Sequence, residues 1–378
     1  MKRGLMVFAL LVLMAAGFWM AQRSPAADSP QMADDVEAVT ALASGAAESG
    51  QQKLYVLSSA GNDVTVIDVA TNEIIGSIEV GDRPHGIAAP ASQDVLYIAT
   101  EFDNGLVVVD PVHDVVVKKY NVFGERPNEI DVTSDGRFIY FPLFAAGVYE
   151  VFDTVKEEIV ARIPTDGTPH NAVVSPDDRF MYLSPMDRGN ATAEQMERRG
   201  MPSTENNKVY IADTSTHTVV ATIDTGDAPR PIAVNPNGKF LYVNTDGLDG
   251  FLVLDLEKRE QIARVEYELT DDERARPSRS HGLVVTPDGS EVWSADVNRG
   301  LVFVFDATQN PPRQIAKLDN TTDPYWMAVT PDGRTVYVAS APGDTVTAFD
   351  VATKTLKAVI RLPEGTAPKR MLVLTVSS

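Results

Sequence analysis

The sequence predicts an all-β fold, a seven-bladed β-propeller of four-stranded blades, and three observations lead to this prediction. An apolar run that ends in Asp recurs seven times along the chain, at spacings of about 42 to 60 residues. An aromatic residue leads the strand before each of these runs, often just after a turn such as SDG, PNG or PDG. The chain also ends in a single strand that matches the one missing from its first repeat.

The repeat is counted from its aspartates and its aromatic residues. The aspartates are Asp68, Asp110, Asp153, Asp213, Asp255, Asp306 and Asp350. The aromatic residues are Tyr55, Tyr97, Tyr140, Tyr182, Tyr242, Trp293 and Tyr337. Each unit contains four short apolar or alternating segments separated by turn residues, which is typical of a propeller blade. We expect each Asp to accept backbone hydrogen bonds in the turn after the third strand and each aromatic side chain to pack between blades.

The two ends of the chain are predicted to complete one blade together. The first repeat begins at Lys53 with a second strand, whereas residues 371–376 have the sequence of a first strand. Pairing these segments removes the open sheet edge that an incomplete ring would leave. We therefore expect residues 51–378 to form one ring, closed by the C-terminal strand joining the N-terminal blade.

The segment before the repeats indicates export. Lys2 and Arg3 are followed by an apolar stretch that runs from Gly4 to Ala21, as in a secretory signal or a short membrane span. We expect residues 1–23 to be a signal peptide or an N-terminal membrane anchor, and residues 24–50 to be a flexible linker. The predicted location is the periplasm or the outside of the cell, with possible anchoring through this N-terminal segment.

Composition limits the chemistry that the protein can use. The 378 residues include no cysteine, which excludes disulfides, thiolate chemistry and a covalently attached c-type haem. The formal net charge of −20 opposes binding to nucleic acid through the general surface. We expect a soluble monomer with no nucleic-acid partner.

Three segments of the repeat carry a family resemblance. Residues 242–244 read Tyr-Val-Asn, residues 66–68 read Val-Ile-Asp, and residues 81–86 form the turn Gly-Asp-Arg-Pro-His-Gly. In these features the chain resembles the YVTN family of β-propeller repeat proteins over about residues 53 to 376. The resemblance implies the seven-bladed fold. It leaves the function open, because such propellers act as binding platforms, surface proteins, lactonase-like enzymes and cofactor-bearing domains.

The candidate site lies where the innermost strand of each blade begins, at one mouth of the central channel. One aligned position in these strands is never aliphatic, and we call its seven residues the channel ring. From blade one to blade seven they are Lys369, His85, Asn128, His170, Arg230, His281 and Tyr325. Three of the five histidines of the chain occupy this position. The flanking charged residues are Arg83, Arg126, Arg279, Arg370, Glu129 and Asp323.

The charge at this mouth contrasts with that of the rest of the chain. Cations outnumber anions among the ring and its flanking residues, whereas the protein as a whole is acidic. A basic concavity inside an acidic shell attracts a small anion in preference to a polyanion. Two insertions, residues 186–208 in blade four and residues 267–280 before blade six, are predicted to emerge at the same end, where long loops are often functional.

Several functions remain compatible with this ring. We favour a binding or assembly module that holds a small anionic ligand or an acidic loop of a protein partner. The second possibility is a lactonase-like hydrolase, with His170, His281 or Glu129 as general base and Arg230 and Lys369 holding the substrate anion. The third is an accessory protein of a quinoprotein or haem redox system. An ordinary water-filled channel is the non-functional alternative.

No metal is expected at the ring, although a metal site is an alternative to anion binding. The three imidazoles come from alternate blades and would have to converge across the mouth to bind one ion. Neighbouring Arg and Lys side chains would also repel a cation. The identity of any cofactor stays open.

Overall fold

The computed structural model describes residues 50–121, 124, 126–144, 146–186, 206–245, 247–319 and 321–377. The predicted leader, the linker up to residue 49 and residues 187–205 of the blade-four insertion lie outside the described residues. Twenty-eight strands form seven four-stranded antiparallel sheets, so the predicted seven-bladed β-propeller is confirmed. Within the described ranges no helix is long and apolar enough to cross a bilayer.

The strands follow one another from the inside of each blade to its outside. Blade 1 contains β1 (Gln51–Ser58), β2 (Asp63–Asp68) and β3 (Glu73–Glu79), and blade 2 contains β4 (Pro84–Ala88), β5 (Leu96–Thr100), β6 (Gly105–Asp110) and β7 (Val115–Tyr120). Blade 3 contains β8 (Asp131–Val132), β9 (Phe138–Leu143), β10 (Val148–Asp153) and β11 (Glu158–Pro164). Blade 4 contains β12 (Thr168–Val174), β13 (Phe180–Met186), β14 (Lys208–Asp213) and β15 (Thr218–Asp224).

The second half of the ring repeats this order. Blade 5 contains β16 (Pro229–Val234), β17 (Phe240–Thr245), β18 (Gly250–Asp255) and β19 (Glu260–Glu266). A one-turn helix α1 (Asp271–Arg274) precedes blade 6, which contains β20 (Ser280–Val285), β21 (Glu291–Asp296), β22 (Leu301–Asp306) and β23 (Arg313–Leu318). Blade 7 contains β24 (Pro324–Val329), β25 (Thr335–Ser340), β26 (Thr345–Asp350) and β27 (Leu356–Arg361), and β28 (Pro368–Val376) returns to blade 1.

Strand β28 closes the ring as predicted. It pairs antiparallel with β1, so that Val376 lies opposite Gln51 and Leu372 lies opposite Tyr55. The innermost strands β28, β4, β8, β12, β16, β20 and β24 each contact the next one around the ring. Blade 1 therefore takes its innermost strand from the far end of the chain, and no blade is left incomplete.

The core lies between neighbouring blades. All seven repeat aromatic residues are buried, with at most 8% of the surface of any one exposed. Tyr337 of blade 7, for example, packs against Leu54 and Ile67 of blade 1, and Trp293 packs against Val336 and Phe349 of blade 7. Full burial of a large apolar side chain contributes about 1.5–3 kcal/mol, so these contacts hold one sheet against the next. The predicted interblade role of these residues is confirmed.

The repeat aspartates close the turn after the third strand of each blade. In blade 1, Asp68 Oδ1 accepts a hydrogen bond of 2.9 Å from the amide of Thr71. In blade 3, Asp153 Oδ1 accepts bonds of 3.0 Å from the amides of Val155 and Lys156. The other five blades use their Asp in the same way. These carboxylates are structural, as predicted.

The insertion before blade 6 is bonded to the body of the propeller. Helix α1 begins with a capping box, in which Thr270 accepts from the amide of Glu273 and the Glu273 carboxylate accepts from the amide of Thr270. The buried Arg299 donates to the backbone carbonyls of Glu273, at 2.8 Å, and of Arg276, at 2.5 Å. It also forms ion pairs with Asp296 and Asp249. The insertion is therefore attached to the turn between β21 and β22 through Arg299.

Candidate functional site

The channel ring lies in a series of β-bulges. Pro84, Ser280 and Pro324 each pair with the last residue of the second strand in their blade, and the next paired residue lies two positions further on. Blades 1, 4 and 5 show similar register shifts at their ring residues. A bulge leaves a residue out of the ladder and changes the direction of its side chain, and bulges are frequent beside active sites. The ring residues are thus released from regular pairing in six blades.

Tyr325 joins cationic and neutral members of the ring. The His281 ring stacks on the Tyr325 ring, with 3.8 Å between centroids and 30° between planes. The Lys369 ammonium lies 5.2 Å and the Arg279 guanidinium 5.7 Å from the same centroid. Both distances are within the range of cation–π attraction. Three predicted ring or flanking residues therefore meet on one aromatic surface.

Arg370 is buried and connects three blades. Its guanidinium lies 3.3 Å from the centroid of the Trp326 ring and 2.7 Å from Glu129 Oε2, so it links blades 7, 1 and 3. Blade 2, which stands between blades 1 and 3, packs at Gly86 against the backbone of blade 3. A Cβ there would lie only 2.2 Å from the carbonyl oxygen of Asn128, which explains the need for glycine. Arg370 is 2% exposed, so a residue expected only to flank the ring is a buried member of the site.

Glu101 is a site residue that the sequence analysis missed. Its carboxylate lies 3.1 Å from Arg83 Nε and 3.4 Å from His85 Nδ1, and it accepts a 3.0 Å hydrogen bond from Arg126 Nε. The contacts with His85 and Arg126 lower the pKa of Glu101 to about 2 although burial raises it. Part of the predicted positive charge is therefore neutralised by a buried anion. The position of Glu101 in the repeat could have identified it, because it directly follows β5, the strand that pairs with the innermost strand of blade 2. Its amide donates a hydrogen bond to the carbonyl of Arg83.

Two of the ring histidines lie closer together than expected. The centroids of His170 in blade 4 and His281 in blade 6 are 6.4 Å apart, so these two imidazoles do approach each other although they come from alternate blades. His170 Nδ1 lies 2.8 Å from Asn171 Oδ1, and because that oxygen only accepts, Nδ1 carries the proton and Nε2 the lone pair. Across the described ranges, however, no group of three His, Asp or Glu side chains could hold a metal ion.

The imidazoles are held neutral. Burial, followed by the positive charges of Arg370 and Arg230, places the pKa values of His170 and His281 well below the usual 6.5. Burial lowers the pKa of His85 to about 4, with Glu101 opposing and Arg370 reinforcing the shift. At neutral pH each ring therefore carries one N–H donor and one acceptor nitrogen.

The wild-type protein is expected to lose more stability between pH 7 and pH 5 than a His85→Gln variant. Between pH 6.5 and about 4, His85 takes up a proton in the unfolded chain but not in the folded one, so stability is lost as the pH falls. For each such group, the free energy of unfolding changes by about 1.4 kcal/mol per pH unit in this range. Thermal melts at the two pH values measure the difference, and His113→Gln, altered in an exposed turn, serves as the control. An equal loss of stability between pH 7 and pH 5 in all three proteins would contradict the neutral state of His85.

Glu129 and Asp131 are buried carboxyl groups beside the ring. Burial raises the pKa of Glu129 to about 7, and Arg370 opposes this shift. Burial also raises the pKa of Asp131 to about 6, against the hydrogen bonds that it accepts from the amides of Val174 and Val132. Glu129 therefore changes its charge near neutral pH, as a general acid or base does. Asp131 bonds only to backbone amides and is structural.

Three more of the predicted residues, all arginines, are placed by the structure. Arg230 opens β16 and is close enough to His170 and His281 to lower the pKa of both. Arg83 and Arg126 lie over the Phe102 ring, at 4.8 and 5.8 Å from its centroid, on the side of the site occupied by Glu101. The site therefore has a cationic part around Tyr325, a partly neutralised part around Glu101, and a neutral imidazole pair near Arg370.

Comparisons with known proteins agree with the fold. No family model matches the chain. A sequence relative is the antigen Lp49 of Leptospira interrogans serogroup Icterohaemorrhagiae serovar copenhageni, 26% identical over 212 residues, which are 52% of this chain and 43% of that protein. The matched region thus spans less than half the length of this relative.

Solved structures cover more of the chain at lower identity. The periplasmic gluconolactonase PpgL of Pseudomonas aeruginosa is 16% identical, with a TM-score of 0.68 and coverage of 87% of this chain and 100% of that one. Hydrazine synthase of Kuenenia stuttgartiensis is 18% identical, with a TM-score of 0.65 and coverage of 82% and 92%. At these identities the likeness shows the seven-bladed β-propeller fold alone.

Proposed function

We propose that this protein is an exported β-propeller module that binds a small anionic ligand at the channel ring. The observation that carries the proposal is the position of Lys369 and Arg279, which both face the Tyr325 ring at the mouth of the channel. The predicted leader and the fold that the chain shares with a periplasmic enzyme support the periplasm or the cell exterior as its location.

Charge distribution supports an anion as the ligand. Arg83 and Arg126 are paired with Glu101, and Arg370 is paired with Glu129, whereas Lys369 and Arg279 contact an uncharged ring. Burial and the neighbouring arginines lower the pKa of Lys369, which an incoming anion would reverse. The anion therefore gains a charge-assisted contact where the protein itself has excess positive charge.

Isothermal titration tests this proposal on the full-length protein. Gluconate, hexanoate and inorganic phosphate are titrated at low and at physiological salt, and at least one is expected to bind with an affinity that falls as salt increases. Lys369→Met and Arg279→Met should each weaken binding about tenfold or more, because a hydrogen bond to a charged group is lost. Lys239→Met, altered on an exposed turn outside the ring, is the matched control.

The outcome separates the possible ligands. Wild-type affinity in both Lys369→Met and Arg279→Met would overturn the proposal that the ring binds the anion. If none of the three anions binds but a glutamate-rich peptide does so in a Lys369-dependent way, the ligand is an acidic loop of a protein partner, and the small-anion proposal fails.

A lactonase-like hydrolase is the second candidate, favoured by the environment of Glu129. Its carboxyl group changes charge near pH 7 and lies 2.7 Å from Arg370. In this reaction water adds to the lactone carbonyl, Glu129 accepts the water proton, and the ring C–O bond breaks as the proton returns to the leaving oxygen. Arg370 would stabilise the oxyanion.

Acid release from glucono-δ-lactone, followed in a pH-stat, tests this second candidate. Turnover that is lost in Glu129→Gln, while gluconate binding is kept, would support hydrolysis. A rate no higher than the uncatalysed one would leave the protein as a binding module.

A further inference from the structure

A second property of the ligand, beyond its negative charge, can be inferred from the groups next to Tyr325, and this inference rests on the proposed function. Lys369 and Arg279 lie over the Tyr325 ring, and His281 stacks on it at 3.8 Å. His170 follows at 6.4 Å from His281. A single ligand of a few carbon atoms can therefore reach both the cations and the imidazole pair.

Buried polar atoms that lack partners occur in the channel ring and in Asn171, which contacts His170. Nδ1 of His281, Oδ1 of Asn128 and Nδ2 of Asn171 are shielded from solvent, and no residue in the described part of the chain forms a hydrogen bond with them. The three side chains belong to residues that are 3% exposed or less. Most buried polar atoms in folded proteins are hydrogen-bonded, so unsatisfied ones among the residues that begin the innermost strands are available to a polar ligand.

The chemistry of these atoms is mixed and uncharged. Oδ1 of Asn128 accepts and Nδ2 of Asn171 donates, while a neutral imidazole offers one nitrogen of each kind. His170 and His281 stay neutral because burial and the charges of Arg370 and Arg230 lower their pKa values. Groups that both donate and accept match hydroxyl groups, which do the same.

We infer that the ligand of the channel ring is a small hydroxylated carboxylate, with its carboxylate at Lys369 and Arg279 and its hydroxyl groups at His281, Asn128 and Asn171. An alkyl carboxylate of the same length would leave the polar atoms unsatisfied. Inorganic phosphate is too short to contact both ends. A neutral polyol would lack the group that the cations bind.

Four probes of defined chemistry test this inference on the full-length protein. Gluconate and hexanoate have the same chain length and charge but differ in their hydroxyl groups, sorbitol keeps the hydroxyl groups without the charge, and phosphate keeps only the charge. By isothermal titration, gluconate is expected to bind at least about tenfold more tightly than each of the others, since a site built to hydrogen-bond hydroxyl groups rejects analogues that lack them.

The results distinguish the inference from the proposed function. Equal affinities for gluconate and hexanoate would overturn the hydroxyl requirement and leave anion binding intact. Sorbitol binding as tightly as gluconate would overturn the carboxylate requirement and, with it, the proposed anion site. Absence of binding by all four probes would overturn both.

A matched pair of variants tests whether His281 causes the preference for gluconate over hexanoate. His281→Phe keeps the stack on Tyr325 but removes the ring nitrogens, so we expect gluconate affinity to fall about tenfold while hexanoate affinity is unchanged. His113→Phe, in an exposed turn beside Asp110, should change neither. If His281→Phe does not fold, Asn128→Leu provides the same comparison, and a gluconate preference retained in the folded variant would contradict the assignment.

Discussion

Deletion of residues 371–378 is expected to abolish cooperative folding of the propeller. The deleted segment contains most of β28, whose residues Met371, Val373, Leu374 and Val376 are buried. At about 1.5–3 kcal/mol for each apolar side chain, their loss is comparable with the whole stability of a typical domain, about 5–15 kcal/mol. The deletion also exposes the edge of β1, which then becomes a site for aggregation. Circular dichroism during thermal unfolding measures the effect.

The control for this deletion is removal of Ser377 and Ser378 alone, which lie beyond the end of β28. That variant should melt like the wild type. A native melting profile after deletion of residues 371–378 would mean that the ring does not depend on closure by the C-terminal strand. Adding back a peptide of residues 368–378 should restore a cooperative transition if the strand itself is what is missing.

Arg370→Met is expected to destabilise the fold by about 3–5 kcal/mol, the usual cost of leaving one partner of a buried ion pair uncompensated. Glu129 loses its contact at 2.7 Å and remains buried. Because Arg370 lowers the pKa of Glu129, its removal should raise that pKa further and make the variant relatively more stable at acidic pH. Chemical denaturation of the wild type and the variant at pH 5 and pH 8 measures both effects.

The double variant Arg370→Met/Glu129→Gln separates the charge from the packing. Removing both charges should recover much of the stability lost in Arg370→Met, whereas the loss of the Trp326 contact persists. If the loss of stability in the double variant equals the sum of the losses in the two single variants, Arg370 and Glu129 do not interact. The same series reports on the histidines, since the pKa values of His170 and His281 should rise once Arg370 is gone.

The seven blades could be predicted because their strand and turn features repeat in phase. The alternation of apolar residues, the Asp that closes each outer turn and the aromatic residue between blades are local patterns. Strand β28 was predictable for a different reason, because a ring with one strand missing has an exposed edge. The channel ring followed from register alone, since equivalent residues of equivalent strands lie at the same depth.

The contacts within the site could not be predicted in the same way. Glu101 follows the second strand of blade 2, and its pairing with Arg83, His85 and Arg126 depends on how far each side chain reaches. Arg370 was expected to flank the ring, but it reaches Glu129 of blade 3, and the length of an arginine side chain is not part of the repeat pattern. The bulges that release the ring residues also have no local signature beyond the proline before several of them.

The electrostatic contrast within the channel also follows from these contacts. Glu101 and Glu129 offset part of the charge of Arg83, Arg126 and Arg370, and burial keeps the imidazoles uncharged, whereas Lys369 and Arg279 lie against the uncharged Tyr325 ring. A ligand is therefore expected to bind in one orientation, with its anionic group toward blades 1, 6 and 7. The seven-bladed ring brings these blades together from opposite ends of the chain.

A crystal structure of the full-length protein grown with gluconate tests the central claim most directly. We expect electron density for the ligand inside the channel ring, with its carboxylate within hydrogen-bonding distance of Lys369 Nζ or the Arg279 guanidinium and a hydroxyl group near His281. Ligand density outside the ring only, at a concentration that saturates binding in solution, would contradict the assignment of this site.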